Sequence, residues 1–438
     1  MQRREFRLIL VTTMKRALFS ALLMAGLIGP GTVVAIPTNV FGPIVQSDSP
    51  LNGEDLTDQV LAALAGDGQL PGEWVAEGAV GASEISHLLA RPVLFDREVV
   101  ILRAVRRDGN LERVEATFAD AGSFFGYFDE DLPDGLSRRQ AEEAVQAKVK
   151  ERQDEFSKLY TESLETVRDS IAEVADKPRA KEVRFGKGRT LRAEVEEWRK
   201  GDLAVRLFAA DERLVRVMIG KSDRLPAGWI DPAFESESER DRSARLAAAV
   251  KKDSDGTVRI EGLQPMPQGY KPYCGLNTLA MAARHLGLTL DEDWLAAAGG
   301  FQNTGSAAGS DMVKLYHAVA SEAGLGMDRA NDFDESDVKA ALSEGRPVVV
   351  WRRFSWERNK LHDRIAAGDA EMPDPNDPAE ASSWPDEDAP LHASVLTGFD
   401  PEKREVFFLE TWSGKDTPRR MRFEEMESTA YLTFVFTD

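Results

Sequence analysis

Within Leu111 to Phe118, Leu-Glu-Arg-Val-Glu-Ala-Thr-Phe, apolar and polar positions alternate from Val114 onward, as they do in a half-buried strand. Just before it, Glu98-Val99-Val100-Ile101-Leu102 is apolar enough for a more deeply buried one. The period then changes. Tyr160, Leu164, Val167, Ile171 and Val174 recur at intervals of four and three within a helical stretch from about Ser137 to Val174. That stripe covers only about two heptads, so it predicts a core-facing helix and not a dimer seam. Three further strand patterns, Leu191 to Trp198, Leu203 to Phe208 and Leu214 to Ile219, close the first half. Strands, one long helix and strands again predict an α+β layer. The second half runs in the other order. Helical patterns at Cys274 to His285, Asp291 to Ala298, Ser310 to Ala323 and Glu335 to Leu342 precede strand patterns at Pro347 to Arg352, His392 to Gly398, Glu405 to Trp412 and Ala430 to Phe436. No internal repeat is evident.

Turn-forming and charged stretches divide these patterns. Residues 1–35 read as an export signal: Lys15 and Arg16 flank the apolar run Ala17 to Ile28, Gly29-Pro30-Gly31 breaks it, and Val33-Val34-Ala35 offers small residues for cleavage. Starting at Met14 makes that signal compact, while Arg3-Arg4-Glu5-Phe6 has a faint likeness to a twin-arginine motif. The run is shorter than the roughly 20 residues a bilayer span needs. The expectation is therefore a secreted or periplasmic (cell-envelope) protein with no stable membrane span once the signal is removed. Residues 36–70, rich in Pro, Gly, Asp and Ser, read as a linker. Residues 71–231 are the first α+β domain, 232–257 a charged connector passing into a helix near Ala247, and 258–438 the second domain. A chain of 438 residues fits two or three units at about 150 residues each.

The formal net charge of -20 argues against a nucleic-acid partner, because phosphates would be repelled. The five histidines form no His-Glu-x-x-His helix and there are no cysteine pairs, so neither a metal nor a cofactor is expected. The single cysteine excludes an intramolecular disulfide and marks one thiol for attention.

That thiol, Cys274, opens an apolar helical pattern carried by Leu276, Leu279, Ala280 and Ala283. A sulfur at a helix N-terminus faces unpaired N–H groups and the positive dipole end, which favours thiolate. Six residues upstream, Gln268 carries an amide able to donate to an oxyanion. Far downstream, His392 opens a buried strand pattern at its edge and is a candidate base. The next strand pattern ends in a carboxylate, Glu410, a candidate to orient the imidazole, with Asp400 in the preceding turn as the substitute. Taken singly each has an ordinary reading: a packed cysteine, a loop glutamine, a core histidine. His87, on an expected short helix, reads as structural, and His362 is a second histidine without a strand around it.

Gln-x5-Cys-Gly at a helix start, a His-led apolar strand and a strand ending in a polar residue together resemble a papain-like cysteine peptidase. More narrowly, they resemble the C39-like group. The segment Ala340 to Val350, with Gly345-Arg346-Pro347 between helix and strand, is similar to the one preceding the histidine in that group. The resemblance covers about Gln264 to Asp438. It implies an α+β fold in which a nucleophile helix packs on an antiparallel sheet, preceded by a separate α+β domain. It also implies peptide-bond hydrolysis by Cys274 as nucleophile, His392 as base, Gln268 as oxyanion donor and Glu410 as orienting group, acting on a peptide or protein substrate. Glu410 stands where most relatives carry Asp or Asn, which motivates a second reading, an inactive scaffold of the cell envelope. Acyl transfer or deamidation through the same thioester is a third. Between Phe354 and Leu391 lies a Pro- and acid-rich insertion, expected to be a mobile loop that either covers or lines the cleft, where its charge would favour basic peptides, or is a solvated excursion with no role. The role of residues 71–231 stays open among substrate recogniser, inhibitory prosegment and true functional half.

Overall fold

The alternating patterns become two antiparallel sheets. A computed structural model describes residues 48–126, 136–210, 212–269, 271–303, 308–374, 376–412 and 417–437; the expected export signal at 1–35 lies outside the described residues. The first sheet contains β1 (Trp74–Val80), β2 (Ser83–Leu88), β3 (Ile101–Arg107), β4 (Asn110–Asp120), β5 (Lys181–Phe185), β6 (Ala193–Lys200), β7 (Leu203–Ala210) and β8 (Leu214–Lys221). Its order, β1-β2-β3-β4-β8-β7-β6-β5, joins two four-stranded meanders along the β4–β8 seam.

Three helices accompany this sheet: α1 (Thr57–Ala65), the short α2 (Ala121–Phe125) and the 37-residue α3 (Arg138–Val174). A capping box starts α3, in which Ser137 and Gln140 satisfy each other's backbone N–H groups. Val149, Phe156, Tyr160, Val167 and Ile171 are its buried apolar side chains. Their spacing of seven, four, seven and four puts them on one stripe against the core. Two expectations change here. Within the supposed linker, α1 buries Val60, Leu61 and Leu64; the flanking Pro, Gly and Asp hid an apolar helical face. His87 lies on β2 and not on a helix, buried with Nδ1 3.2 Å from Glu77.

The second sheet contains β9 (Val250–Lys252), β10 (Val258–Ile260), β11 (Gly326–Ala330), β12 (Val348–Arg353), β13 (Leu391–Asp400), β14 (Glu405–Leu409), β15 (Arg419–Arg422) and β16 (Ala430–Thr437). The order is β9-β10-β13-β12-β16-β11, with β14 also pairing β13 and carrying β15. Between the two sheets the chain forms α4 (Glu239–Ala248). Helices α5 (Cys274–His285), α6 (Glu292–Ala298), α7 (Met312–Glu322) and α8 (Glu335–Ser343) follow β10, interrupted after α7 by β11. The fold class is thus α+β, as the patterns imply.

The insertion after Phe354 departs from the mobile loop expected of it. It folds as α9 (Trp356–Ala367) and α10 (Pro378–Ser382). Arg358 ties both to α11 (Phe423–Thr429), reaching Glu425 at 2.6 and 2.9 Å and Glu380 at 2.6 and 3.0 Å. Arg422 also donates to the Pro373 carbonyl. Proline and acid density signalled a loop, but partners distant in sequence order it.

The two sheets share one apolar core. Trp229 and Trp294 pack 5.0 Å apart and both indoles donate to the Leu191 carbonyl. Among the described residues no helix is long and apolar enough to cross a membrane.

Candidate active site

Helix α5 begins at Cys274, with Tyr273 at its N-cap and neither a side-chain cap nor an acidic residue in the first turn. Its opening N–H groups therefore face the thiol without a competing carboxylate. Gly275 lets the helix start press against β12, since a Cβ there would lie 2.8 Å from the Trp351 ring. Leu276, Leu279, Ala280 and Ala283 are all buried, which fixes the helix rotation and leaves Cys274 partly exposed.

The imidazole comes from the sheet. His392 is the second residue of β13, paired in register with Arg352 on β12. Its Nε2 lies 2.5 Å from Glu410 Oε2, and the ring also hydrogen-bonds the Cys274 side chain. The other Glu410 oxygen, Oε1, accepts from Arg352 Nη2 at 2.7 Å and from Ser394 Oγ at 3.1 Å, while Ser394 Oγ accepts from Arg352 Nε. His392 and Ser394 are two residues apart on β13 and so share a face. Glu410 is completely enclosed, and a buried carboxylate needs such partners.

The residues just past β14 divide their work by alternation. Glu410 and Trp412 both reach His392, the indole stacking on the imidazole at 3.8 Å and 13°. Thr411 between them turns the other way and donates to Gln268 Oε1 at 2.5 Å, while its carbonyl accepts from the Gln268 N–H at 2.7 Å. Gln268 Nε2 donates to the Lys271 carbonyl at 3.1 Å, so the amide is held against the segment leading into Cys274.

The electrostatics follow from these contacts. Burial alone would raise the Cys274 thiol, but the His392 hydrogen bond and charge, with backbone contributions from Ala393 and Gly275, hold it below its ordinary value. Burial would lower His392, yet the Glu410 charge and the thiol contact leave it raised. Burial works against Glu410 ionisation too, and is outweighed by His392 and Arg352, which bring the carboxyl down to about 2. A thiol pulled down beside an imidazole pulled up is the electrostatic pattern of a thiolate–imidazolium pair.

The four sequence candidates Cys274, His392, Glu410 and Gln268 thus lie in one contiguous region. The substitute carboxylate does not. Asp400 ends β13 eight residues from His392, about 26 Å along an extended strand, where it accepts from Lys403 Nζ at 2.7 Å. His362 is buried on α9 and paired with Glu425 at 3.0 Å. Arg352, Ser394 and Trp412 were not among the sequence candidates. An arginine at the edge of an otherwise apolar strand pattern was the available signal, because a buried guanidinium requires a carboxylate partner. Among the described residues no group of three or more His, Cys, Asp or Glu side chains is arranged to hold a metal.

Comparison with known proteins agrees in placement. Residues 260–437 match the model of the Peptidase_C39 like family, so the C-terminal part of the chain carries a C39-like domain. No curated protein sequence matches. Solved structures that match include a Bacillus anthracis protein described as a C39-like peptidase (14% identity, 42% of this chain and 98% of that one, TM-score 0.28). Another is xylellain, a cysteine protease from Xylella fastidiosa (15% identity, 44% and 88% coverage, TM-score 0.24).

Proposed function

We propose, taking residues 260–437 as a C39-like domain, that this protein is an exported cysteine peptidase acting on peptide or protein substrates. The observation that carries the reading is the continuous chain of contacts from thiol to imidazole to buried carboxylate. In the reaction, Cys274 thiolate attacks the substrate carbonyl carbon, forming a C–S bond as the carbonyl electrons move to oxygen. The Gln268 amide and the Cys274 N–H stabilise that oxyanion. As the tetrahedral centre collapses the C–N bond breaks, and His392 delivers its proton to the departing amine. His392, neutral again, then takes a proton from water as the hydroxyl adds to the thioester carbonyl; the C–S bond breaks, releasing a carboxylic acid and restoring the Cys274 thiolate beside the His392 imidazolium. Glu410 holds the ring and stabilises its charged form. Export rests on the signal pattern of residues 1–35.

Iodoacetamide alkylation across pH, followed by digestion of casein, tests the assignment. Cys274 should react well below pH 8 in the intact protein, and His392→Ala should shift that reaction to the ordinary thiol range. Wild type should release peptides from casein while Cys274→Ala releases none. An unshifted thiol profile in both proteins, with no peptide release, rules the enzyme reading out in favour of a scaffold. Products joined to an added amine instead of hydrolysed would reassign the chemistry to acyl transfer.

A further inference from the structure

The two residues flanking Pro272, directly ahead of the thiol, are both planted in the first sheet's half of the molecule. Lys271 is mostly buried, with its ammonium 2.9 Å from Asp120 and 2.5 Å from Asp293. Asp120 ends β4 and caps α2, accepting from the backbone N–H groups of Gly122 and Ser123. Tyr273 is fully buried, with the hydroxyl end of its ring against that same turn. A Cβ at Gly122 would sit 2.0 Å from its hydroxyl oxygen, so only glycine admits the ring. Its other side packs on Phe301 at 5.2 Å, whose carbonyl accepts from Arg213 of the β7–β8 turn. Asp293 in turn stands 3.7 Å from Arg103 on β3 and 3.8 Å from Arg216 on β8.

A buried ion cluster of this kind is weak evidence for stability, since desolvation consumes much of the attraction; its best-attested use is to fix register. Here the register in question belongs to the stretch between Gln268 and Cys274. We propose that the β4–α2 turn is a positioning element of the thiol site: Asp120 and Gly122 hold Lys271 and Tyr273, and thereby set the backbone that presents Cys274 and the Gln268 amide. This rests on the reading of Cys274 as nucleophile. It also gives the N-terminal half a permanent part in the site, in place of a prosegment to be shed or a separate recognition module. Removing that half would expose a lysine and a tyrosine at the threshold of the nucleophile helix.

The test uses the full chain, with Asp120→Asn and Lys271→Met as probes. Arg107→Met serves as the control, because it breaks a comparable contact with Asp231 away from this segment. Three readouts apply: hydrogen exchange of the backbone amides from 268 to 277, the iodoacetamide pH profile, and kcat and KM on a casein-derived peptide. Both probes should raise exchange in that segment, move the thiol profile toward the ordinary range and lower kcat about 10- to 100-fold, the cost of a small misplacement. KM should change far less, and Arg107→Met should lose stability without these effects. Probes that are destabilised like the control, yet keep exchange, thiol profile and kcat, overturn the proposal. Should the wild-type thiol itself prove unshifted and inert, the peptidase reading fails separately. Exchange still decides the docking: raised in the probes, the turn holds the segment; unchanged, it does not.

Discussion

Glu410 illustrates how one extra methylene is accommodated. The side chain leaves the backbone one residue past the end of β14, and Arg352 and Ser394 grip its far oxygen so that the near one meets His392. Glu410→Gln keeps the shape but removes the charge that raises the imidazole. The alkaline limb of the pH–rate profile, set by His392, should move to lower pH, and kcat/KM should fall about 100-fold or more, within the range of a positioned acid–base group. A wild-type-like profile in this variant would remove Glu410 from the site. Arg352→Met leaves the fully enclosed carboxylate with the His392 imidazolium but without its buried guanidinium partner, which should cost about 3 kcal/mol in urea unfolding. Pairing it with Glu410→Leu should restore much of that stability, because an apolar pair pays no desolvation, while leaving the enzyme inactive.

At the scale of elements, the nucleophile helix works through its start and the insertion through its anchors. Helix α5 has no side-chain cap, so its first-turn N–H groups remain for the thiol. The insertion is a structured flank that reaches the site through Trp356, whose ring lies 5.0 Å from Trp412, itself stacked on His392. Arg358 is its anchor. Arg358→Ala should speed proteolytic cutting between residues 369 and 390 and, by leaving Glu425 with only His362, lower stability by about 3–5 kcal/mol. The Cys274 alkylation profile should stay as in wild type, since Arg358 holds α9 and α10 to α11 and makes no contact with the thiol, imidazole or Glu410. A shifted profile would show that the flank does control the thiol.

Across the whole molecule, buried carboxylates set the response to acid. Glu410 and Glu425 are both brought from 4.5 to about 2 against the opposing effect of burial, the first chiefly by His392 and Arg352, the second by His362 and Arg358. A carboxyl depressed in the folded state contributes stability that is fully present above about pH 4.5 and is lost as pH falls through 2. Each contributes at most about 3–4 kcal/mol, at about 1.4 kcal/mol per pKa unit. The urea midpoint should therefore drop steeply between pH 5 and pH 2, and Glu425→Gln should flatten that slope; an unchanged slope would place the acid sensitivity elsewhere. The local patterns were sufficient for the α+β class, the core stripe of α3, the start of α5 at Cys274 and the His392 strand, because side-chain period and helix-end chemistry act over a few residues. They were insufficient for α1, for β2 around His87 and for the folded insertion, where short apolar signals sat among turn formers. Nor did they decide between Glu410 and Asp400, or reveal Arg352, Ser394 and Trp412 around the imidazole and the β4–α2 turn beneath Tyr273. Those depend on strand register and on contact between halves some 150 residues apart, which a periodicity read along the chain does not encode and only burial of the shared core brings about.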